Sequence, residues 1–382
     1  MSHRPGRHFT GLLVALLLAL NAAALAEPTS NTANDARRAQ VSKVVKAAIE
    51  RHQVPGASVA IVEGYQIAWA DGFGRRAESS VDPVQASTRF QAASISKPVT
   101  ALAVLKLVGQ GKLCLDDDVN ERLTSWHIPD SPLAKDRPVT LRRLLSHTAG
   151  LTVHGFAGYN ADSPCPSLIQ VLDGAPPANS KAIRLDVKPG YMFRYSGGGY
   201  CVTQQLVIDT TGMTYPDFMK SQILDPLGMD HSTYKQPLPK ELVDQAAFGH
   251  RKDKSVITGN YHVYPEMAAA GLWTTPTDLA KVVIDLAKSA SQDEGKILTQ
   301  KTATQMLTVE KGVFGLGITV QGEGPKLRFG HGGGNEGFRC EMLGFPATGQ
   351  GLVIMTNSDT GGAMFEEVVK AAAEAYAWPP LK

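Results

Sequence analysis

The sequence has no marked excess of charge and only one long apolar run. Its 382 residues include 38 Lys and Arg and 36 Asp and Glu, which gives a formal net charge of +2. This near balance offers no electrostatic basis for binding nucleic acid or an anionic membrane surface. The apolar run, residues 11–20, is shorter than the roughly 20 residues that a membrane-spanning helix needs. We therefore expect no nucleic-acid partner and no stable membrane span in the mature protein.

That apolar run has the features of an export signal. Basic residues precede it, and the small residues Ala24 and Ala26 follow it at a spacing that suits cleavage. We predict that residues 1–26 form a signal peptide and that the mature chain begins near Glu27. Export places the protein in the periplasm or outside the cell. An uncleaved anchor is the alternative interpretation.

Cysteine is scarce, with four residues in the whole chain: Cys114, Cys165, Cys201 and Cys340. Their spacing contains no CxxC pair and no cluster typical of a metal site. Disulfides can persist in an exported protein, so one or two bridges and free buried thiols are all open. Nothing else in the sequence requires a metal or another cofactor, and we expect none.

Two common hydrolase motifs are also missing. The chain has no GxSxG, the nucleophile turn of α/β-hydrolases, and no HExxH, which binds zinc in many peptidases. Glycine clusters at Gly72 and Gly332 match loose dinucleotide patterns, but neither opens a helix after a strand, so we expect tight turns. His147 invites a catalytic-triad interpretation, but we expect it to satisfy backbone groups of a turn.

Strand-forming patterns lie near both ends of the mature chain. Two β-type runs, at 58–62 and 65–70, flank a predicted hairpin turn at Glu63 and Gly64. Further β-type runs return late, at 328–331, 338–345 and 351–357. The stretch between them shows short helical patterns and loops rich in proline and glycine.

These patterns predict an α/β (α+β) fold with an antiparallel sheet flanked by helices and built from both chain ends. We assign residues 35–112 and 265–382 to this sheet domain. Residues 113–264 are predicted to form an inserted, mainly helical domain.

A candidate nucleophile stands before an apolar helical pattern. The segment is Ser94-Ile95-Ser96-Lys97, and the pattern follows at Val99–Val108. Serine is a useful nucleophile only when a neighbouring group removes its proton. Three residues apart at the start of a helix, Ser94 and Lys97 share one face, so the amine can reach the hydroxyl. Pro98 is tolerated there because the first helical turn needs no intrahelical N–H bond.

A second SxxK copy, Ser232 to Lys235, shows that the spacing alone is weak evidence. The two prolines that follow, Pro237 and Pro239, cannot continue a helix. We therefore interpret the second copy as a turn.

Other segments strengthen the first copy because they resemble one family in the same order. Gln91 to Val108 resembles the SxxK segment of class C β-lactamases and low-molecular-weight penicillin-binding proteins. The further similar segments are LRRLLSHTAGL at 141–151, Phe193 to Gly197 at the family's Tyr-x-Asn, Ala270 to Leu279, and His331-Gly332-Gly333 at its Lys-Thr-Gly strand. The similarity spans residues 40 to 360, nearly the whole mature chain.

The resemblance implies roles for further residues. Tyr195 would share the base role with Lys97, taking the Ser94 proton and returning it to the leaving group. The backbone N–H groups of Ser94 and Gly334 would form the oxyanion hole. Gly197, His331 and Gly333 would line the substrate site.

Two of these positions depart from the family pattern. Gly197 replaces an asparagine whose amide helps to hold the substrate, and glycine offers no side-chain donor. His331 replaces a lysine that helps to hold the substrate's carboxylate, and we expect histidine to be charged only part of the time near neutral pH. His-x-Gly occurs in related DD-peptidases and D-aminopeptidases, whereas many related esterases carry Trp-Gly-Gly. The alternative for His331 is a strand histidine without substrate contact.

We therefore predict an exported serine hydrolase that acts on a small molecule or peptide through a Ser94 acyl-enzyme. The first hypothesis is a peptidase or amidase similar to a D-alanyl-D-alanine carboxypeptidase. A carboxylesterase is the alternative, favoured if the site is apolar near Gly197, and a β-lactamase comes third. A penicillin-binding sensor that deacylates slowly is the alternative from another class. Arg339 could recruit a substrate carboxylate and Glu336 could repel one, or both could be solvated charges.

Overall fold

The computed structural model describes residues 30–78 and 80–381, so the predicted signal peptide, residues 1–26, lies outside the described residues. The strands are β1 (Gly56–Glu63), β2 (Gln66–Gly74), β3 (Phe90–Gln91), β4 (Tyr159–Asn160), β5 (His262–Val263), β6 (Trp273–Thr274), β7 (Thr319–Gln321), β8 (Arg328–Asn335), β9 (Phe338–Phe345) and β10 (Gln350–Thr356). Six of them form one sheet in the order β2-β1-β10-β9-β8-β7, with antiparallel neighbours. The predicted fold class is confirmed, because this sheet combines strands from both ends of the chain.

The first hairpin shows how local sequence starts the sheet. Gly64 and Tyr65 both have positive φ, 55° and 63°, which matches the tight turns that join twisted antiparallel strands. The turn was predicted one residue earlier, at Glu63 and Gly64, so Tyr65 belongs to the turn and not to β2. β1 then pairs on its other side with β10, from Ala57 opposite Thr356 onwards.

The helices are α1 (Ser30–His52), α2 (Ser96–Gly109), α3 (Leu141–Leu145), α4 (Leu168–Asp173), α5 (Gly197–Thr211), α6 (Tyr215–Met219), α7 (Asp225–Leu227), α8 (Lys240–Val243), α9 (Met267–Ala270), α10 (Pro276–Gln292), α11 (Gln300–Met306) and α12 (Phe365–Ala375). A π-helical segment, Lys220–Leu224, joins α6 to α7.

Helices cover both faces of the sheet because side chains alternate along each strand. On one face, Ile61 and Ile354 pack in a buried cluster with residues of α1 and α12. On the other face, Ala60 and Val353 join a larger core that includes residues of α2, α5 and α10. Within residues 113–264 the structure has helices α3–α8 and the short strand pair β4–β5. The division into two domains stays a prediction.

All four cysteines are free thiols in the structure. Cys114 and Cys165 are exposed, and Cys201 and Cys340 are buried. Of the arrangements that the sequence left open, the structure therefore has the unpaired one. Across the described part of the chain, every helix is too short or too polar to cross a bilayer.

Candidate active site

Ser94 and Lys97 are in direct contact. Ser94 lies in a 3-10 turn, Ala93–Ile95, that leads straight into α2. The Lys97 amine donates a hydrogen bond to Ser94 Oγ at 3.2 Å and another to the carbonyl of Ala269 at 2.8 Å. Lys97 is 2% exposed, so bulk water hardly competes for these bonds. The structure brings the predicted nucleophile and the predicted base together.

The backbone at the Ser94 turn allows strand β8 to come close. Ala93 has a φ of 49°, a left-handed conformation that residues other than glycine rarely adopt. A Cβ placed on Gly333 of β8 would lie 2.4 Å from the Ala92 carbonyl oxygen and 2.4 Å from Cys340 Sγ. Glycine is therefore required at 333 for this approach. Gly334 follows it on the same strand, next to the turn that carries Ser94.

Helix α9 connects Lys97 to strand β8. Its Ala269 carbonyl accepts from Lys97, and the neighbouring Ala270 carbonyl accepts from the Asn335 amide at 3.2 Å. Glu266 precedes this helix and is fully buried, and its Oε2 has no hydrogen-bond partner within the described residues. Burial raises the pKa of Glu266 to about 7, partly opposed by hydrogen bonds from its own backbone and from Tyr159. No local sequence pattern indicates these α9 contacts, because they join segments far apart in the chain.

Tyr195 lies beside Lys97 and faces it with its ring. The Lys97 amine is 5.0 Å from the centroid of the Tyr195 ring, a cation–π distance. No hydrogen bond joins the Tyr195 hydroxyl to Ser94 or Lys97 in the structure as described. Tyr195 stands just before Ser196, the residue that caps α5 through its hydroxyl. The structure brings the three predicted catalytic residues together, and their roles stay predictions.

His147 holds the backbone on both sides of Tyr195. Its carbonyl accepts the N–H of Arg194 at 2.7 Å, and its Nδ1 accepts the N–H of Ser196 at 3.1 Å. Its ring stacks on the Tyr195 ring with centroids 4.1 Å apart. Burial, then the charge of Lys97, lowers the pKa of His147 well below the ordinary value, so the imidazole is neutral with its proton on Nε2. The expectation that His147 satisfies backbone groups is confirmed, but the bonded groups lie 49 residues further along the chain.

His331 is also a neutral imidazole close to Lys97. It is 5% exposed, and its Nδ1 donates to the Gly332 carbonyl at 2.6 Å. Burial, then the charge of Lys97, lowers the pKa of His331 to about 4. The expectation that His331 is charged part of the time near neutral pH is therefore wrong. Its Nε2 remains as a buried acceptor that no described residue satisfies.

An aromatic ring occupies the space beside Gly197. A Cβ at this position would lie 2.9 Å from Cε2 of Phe156 and 3.1 Å from the His154 carbonyl oxygen. The asparagine of the family pattern would not fit here without moving Phe156. The site is therefore apolar near Gly197.

The two charged candidates near β8 are paired within the protein. Arg339 forms an ion pair with Asp359 at 2.9 Å and donates to the Asn335 and Phe338 carbonyls. Glu336 forms an ion pair with Arg251 at 2.6 Å, and its second carboxylate oxygen lies 3.2 Å from Nδ1 of His262. Both charges are therefore paired within the protein, and neither is free to bind a substrate group.

The second SxxK copy has no catalytic arrangement. Ser232 lies outside any helix, and its hydroxyl donates to the Asp278 carboxylate at 2.8 Å. Residues 232–235 are not helical, as expected, but the predicted turn is wrong, because Thr233 bridges Trp273 through two backbone hydrogen bonds of 2.9 Å. Three or more His, Cys, Asp or Glu side chains that could hold a metal do not come together anywhere in residues 30–78 and 80–381.

The β-lactamase family model matches residues 41–377. The chain belongs to the β-lactamase family. Its family is one of β-lactamase-fold hydrolases. The match covers the site and both ends of the sheet.

Individual relatives agree with this assignment. Penicillin-binding protein 4* of Bacillus subtilis is 27% identical over 342 residues, which cover 85% of this chain and 72% of the relative. Protein flp of Staphylococcus aureus is 26% identical over 250 residues, 64% of this chain, and the match spans only 46% of flp. The D-amino acid amidase of Ochrobactrum anthropi SV3, solved with L-phenylalanine amide, has a TM-score of 0.73 at 21% identity and covers 89% of this chain and 99% of its own. At that identity the amidase shows a shared fold.

Proposed function

We propose that the protein hydrolyses uncharged amides through an acyl-enzyme on Ser94. The observation that carries this proposal is the 3.2 Å contact between the buried Lys97 amine and Ser94 Oγ. A buried amine this close can take the hydroxyl proton as the oxygen attacks a carbonyl carbon. A β-lactamase-family fold around the pair supports the same chemistry.

The proposed reaction has two steps, acylation of Ser94 and hydrolysis of the acyl-enzyme. With its amine in the neutral form, Lys97 takes the Ser94 proton, Oγ bonds to the carbonyl carbon, and the backbone N–H groups of Ser94 and Gly334 stabilise the oxyanion. Lys97 or Tyr195 then gives a proton to the leaving nitrogen, and the amine departs. Water next attacks the acyl carbon and loses a proton to the same base. The Oγ–carbon bond then breaks, the acid product departs, and the base returns the proton to Ser94 Oγ.

The charges around the site argue for an uncharged substrate. A carboxypeptidase or a β-lactamase needs a cation for the substrate's carboxylate. His331 is neutral here, Arg339 is paired with Asp359, and Lys97 is bonded to Ser94 and Ala269. A D-alanyl-D-alanine carboxypeptidase, our first hypothesis from the sequence, thus ranks below an amidase for neutral substrates.

The unpaired acceptor on His331 favours amides over esters. A buried acceptor without a partner costs free energy. Nε2 is shielded from solvent in the free protein, so we infer that the His331 ring turns toward a bound substrate, where the scissile N–H of an amide can satisfy it and the oxygen of an ester cannot. A carboxylesterase is the second candidate, and the observation that favours it is the Phe156 ring beside Gly197.

A matched pair of substrates tests the proposal. N-acetyl-D-alanine p-nitroanilide and the corresponding p-nitrophenyl ester differ only at the scissile N–H or oxygen. We expect wild type to hydrolyse both, and Ser94→Ala to hydrolyse neither above background. If wild type shows no turnover that Ser94→Ala lacks, the hydrolase proposal fails. Turnover of the ester alone would replace the amidase by the esterase.

Intact-mass analysis separates the remaining candidates. Wild type and Ser94→Ala are mixed with a β-lactam and with a D-alanyl peptide, and adducts are followed over time. We expect little reaction with either, because both carry a free carboxylate. A lasting β-lactam adduct on wild type would favour a penicillin-binding sensor.

We also propose that the protein acts outside the cytoplasm. This rests on the predicted signal peptide, residues 1–26. Amino-terminal sequencing of protein recovered from a periplasmic or culture fraction should find Glu27 first. Full-length protein in the cytoplasm would contradict the proposal.

A further inference from the structure

Most of the large apolar side chains that are exposed on the described surface lie in two loops joined by an aromatic contact. The large apolar residues with substantial exposure are Val81, Leu133, Tyr191, Met192, Val309 and Val313. Four of the six, Tyr191, Met192, Val309 and Val313, lie in two loops beside the candidate active site, with exposures of 68%, 44%, 46% and 45%. We call these four residues the apolar rim. Contiguous exposed apolar side chains commonly mark a binding surface.

An aromatic pair joins the two loops and continues to the catalytic residues. Phe193 follows Tyr191 and Met192, and Phe314 follows Val313. Their rings stack with centroids 4.9 Å apart. The Phe314 ring also lies 6.2 Å from the Tyr195 ring and 6.0 Å from the His331 ring. The apolar rim is therefore continuous with the site at Ser94 and Lys97.

Backbone hydrogen bonds hold the rim residues in their exposed positions. In the first loop, the Gly190 N–H donates to the Thr148 carbonyl at 2.7 Å. In the second, the Phe314 N–H donates to Lys311 at 3.0 Å, and the Val313 carbonyl accepts from Val320 at 2.7 Å. Gly312, with a φ of 61°, allows the tight turn that carries Val313 outwards. These bonds fix the main chain next to Tyr191 and at Val313.

The acidic groups of the two loops are not available to a ligand. Glu310 is paired with Arg142 at 2.8 Å, and Asp186 is paired with Arg194. A polar or cationic substrate group would find no free carboxylate on the rim. An apolar group would remove Val313, Val309 and the aromatic pair from water.

We propose that the apolar rim binds an extended apolar group of the substrate, such as a linear acyl chain, while the scissile carbonyl lies at Ser94. This inference rests on the proposed hydrolase function and names the class of its substrate. Each methylene that the rim buries should raise kcat/KM about two- to fourfold. The chemistry at Ser94 is unchanged, because the apolar group takes no part in bond making or breaking.

A chain-length series tests the proposal. The kcat/KM values for p-nitrophenyl acetate, butyrate and octanoate are measured for wild type, Val313→Ser, the double variant Tyr191→Ser/Val313→Ser, and Val81→Ser. Val81 is 89% exposed and lies outside the rim, so Val81→Ser is a matched control for the same side-chain change. We expect the octanoate-to-acetate ratio in wild type to exceed about 10. The ratio should fall about fivefold or more in the double variant and stay at the wild-type value in Val81→Ser.

The acetate measurement keeps this test separate from that of the hydrolase function. If wild type and Ser94→Ala hydrolyse both p-nitrophenyl acetate and N-acetyl-D-alanine p-nitroanilide equally slowly, the proposed function fails. If Ser94-dependent acetate hydrolysis is present but the octanoate-to-acetate ratio is near 1, or the double variant keeps the wild-type ratio, the rim proposal is overturned. Sedimentation with phosphatidylglycerol vesicles adds a further check. Binding that Val313→Ser abolishes, together with a flat chain-length series, would assign the rim to a membrane surface instead.

Discussion

His147 bonds to the backbone on both sides of Tyr195, accepting from Arg194 with its carbonyl and from Ser196 with Nδ1. Its stacked ring adds a third contact, with centroids 4.1 Å apart. Three contacts from one residue fix both the main chain and the ring of the tyrosine beside Lys97. We infer that His147 is a positioning residue that acts through Tyr195.

Replacing His147 should therefore impair catalysis more than substrate binding. In His147→Phe the ring remains, but the buried N–H of Ser196 loses its acceptor, a cost of about 1–3 kcal/mol. We expect kcat to fall about 10- to 100-fold with little change in KM. Asparagine tolerates the positive φ of 58° at this position and offers an oxygen near the place of Nδ1, so His147→Asn should recover part of kcat.

Steady-state kinetics of the two variants check this prediction, with thermal unfolding as the control for folding. A purely structural role would lower the melting temperature of both variants and leave kcat per folded molecule unchanged. Equal kcat values for His147→Phe and His147→Asn would also contradict a role for the Nδ1 acceptor.

Replacing either of two neighbouring glycines on β8 with alanine should affect stability to different extents. At Gly333 a new Cβ would meet the Ala92 carbonyl and Cys340 Sγ, each at 2.4 Å, and backbone cannot move aside cheaply. At Gly332 the nearest atom is Glu341 Oε2 at 3.2 Å, the end of a flexible side chain. We expect Gly333→Ala to cost about 1–3 kcal/mol of stability and to push β8 away from Ser94.

Denaturant unfolding and ester hydrolysis measure both consequences. Gly332→Ala is the matched control and should remain within about 1 kcal/mol of wild type. If Gly333→Ala and Gly332→Ala have equal activity and equal stability, β8 does not approach the Ser94 turn as closely as described.

The parts of the fold and site that could be predicted are those encoded over short distances in the chain. Alternating apolar residues marked the strands at both chain ends, and a three-residue spacing placed Lys97 against Ser94. The contact of His147 with Ser196 joins residues 49 apart, and Phe156 meets Gly197 through loop packing that no local pattern encodes. The charge of His331 also depends on burial, which a strand pattern does not measure.

Glu266 should make stability depend on pH. Burial raises its pKa from 4.5 to about 7, so the folded protein keeps a proton that the unfolded chain releases between these values. Stability from this carboxyl is therefore present at low pH and is lost as pH rises through about 7. Glu266→Gln removes this titration. The free energy of unfolding of the variant minus that of wild type should therefore be about 2 kcal/mol larger at pH 8 than at pH 5.

Urea unfolding at both pH values tests this expectation, with Glu374→Gln on the exposed face of α12 as the control. The control should follow wild type at each pH. If the free energies of unfolding of wild type and Glu266→Gln differ by the same amount at pH 5 and pH 8, Glu266 is not a buried carboxyl that keeps its proton in the folded protein.

His331 should discriminate between amide and ester substrates. His331→Phe keeps an aromatic ring near Tyr195 and Phe314 but removes the unpaired Nε2 acceptor. If that nitrogen receives the substrate N–H, the variant should lose about tenfold in kcat/KM for N-acetyl-D-alanine p-nitroanilide and much less for the p-nitrophenyl ester. The measured quantity is the amide-to-ester ratio, which cancels any general loss of folded enzyme. An unchanged ratio would remove the argument for amides and leave the apolar surroundings of Gly197, and with them the esterase, as the stronger candidate.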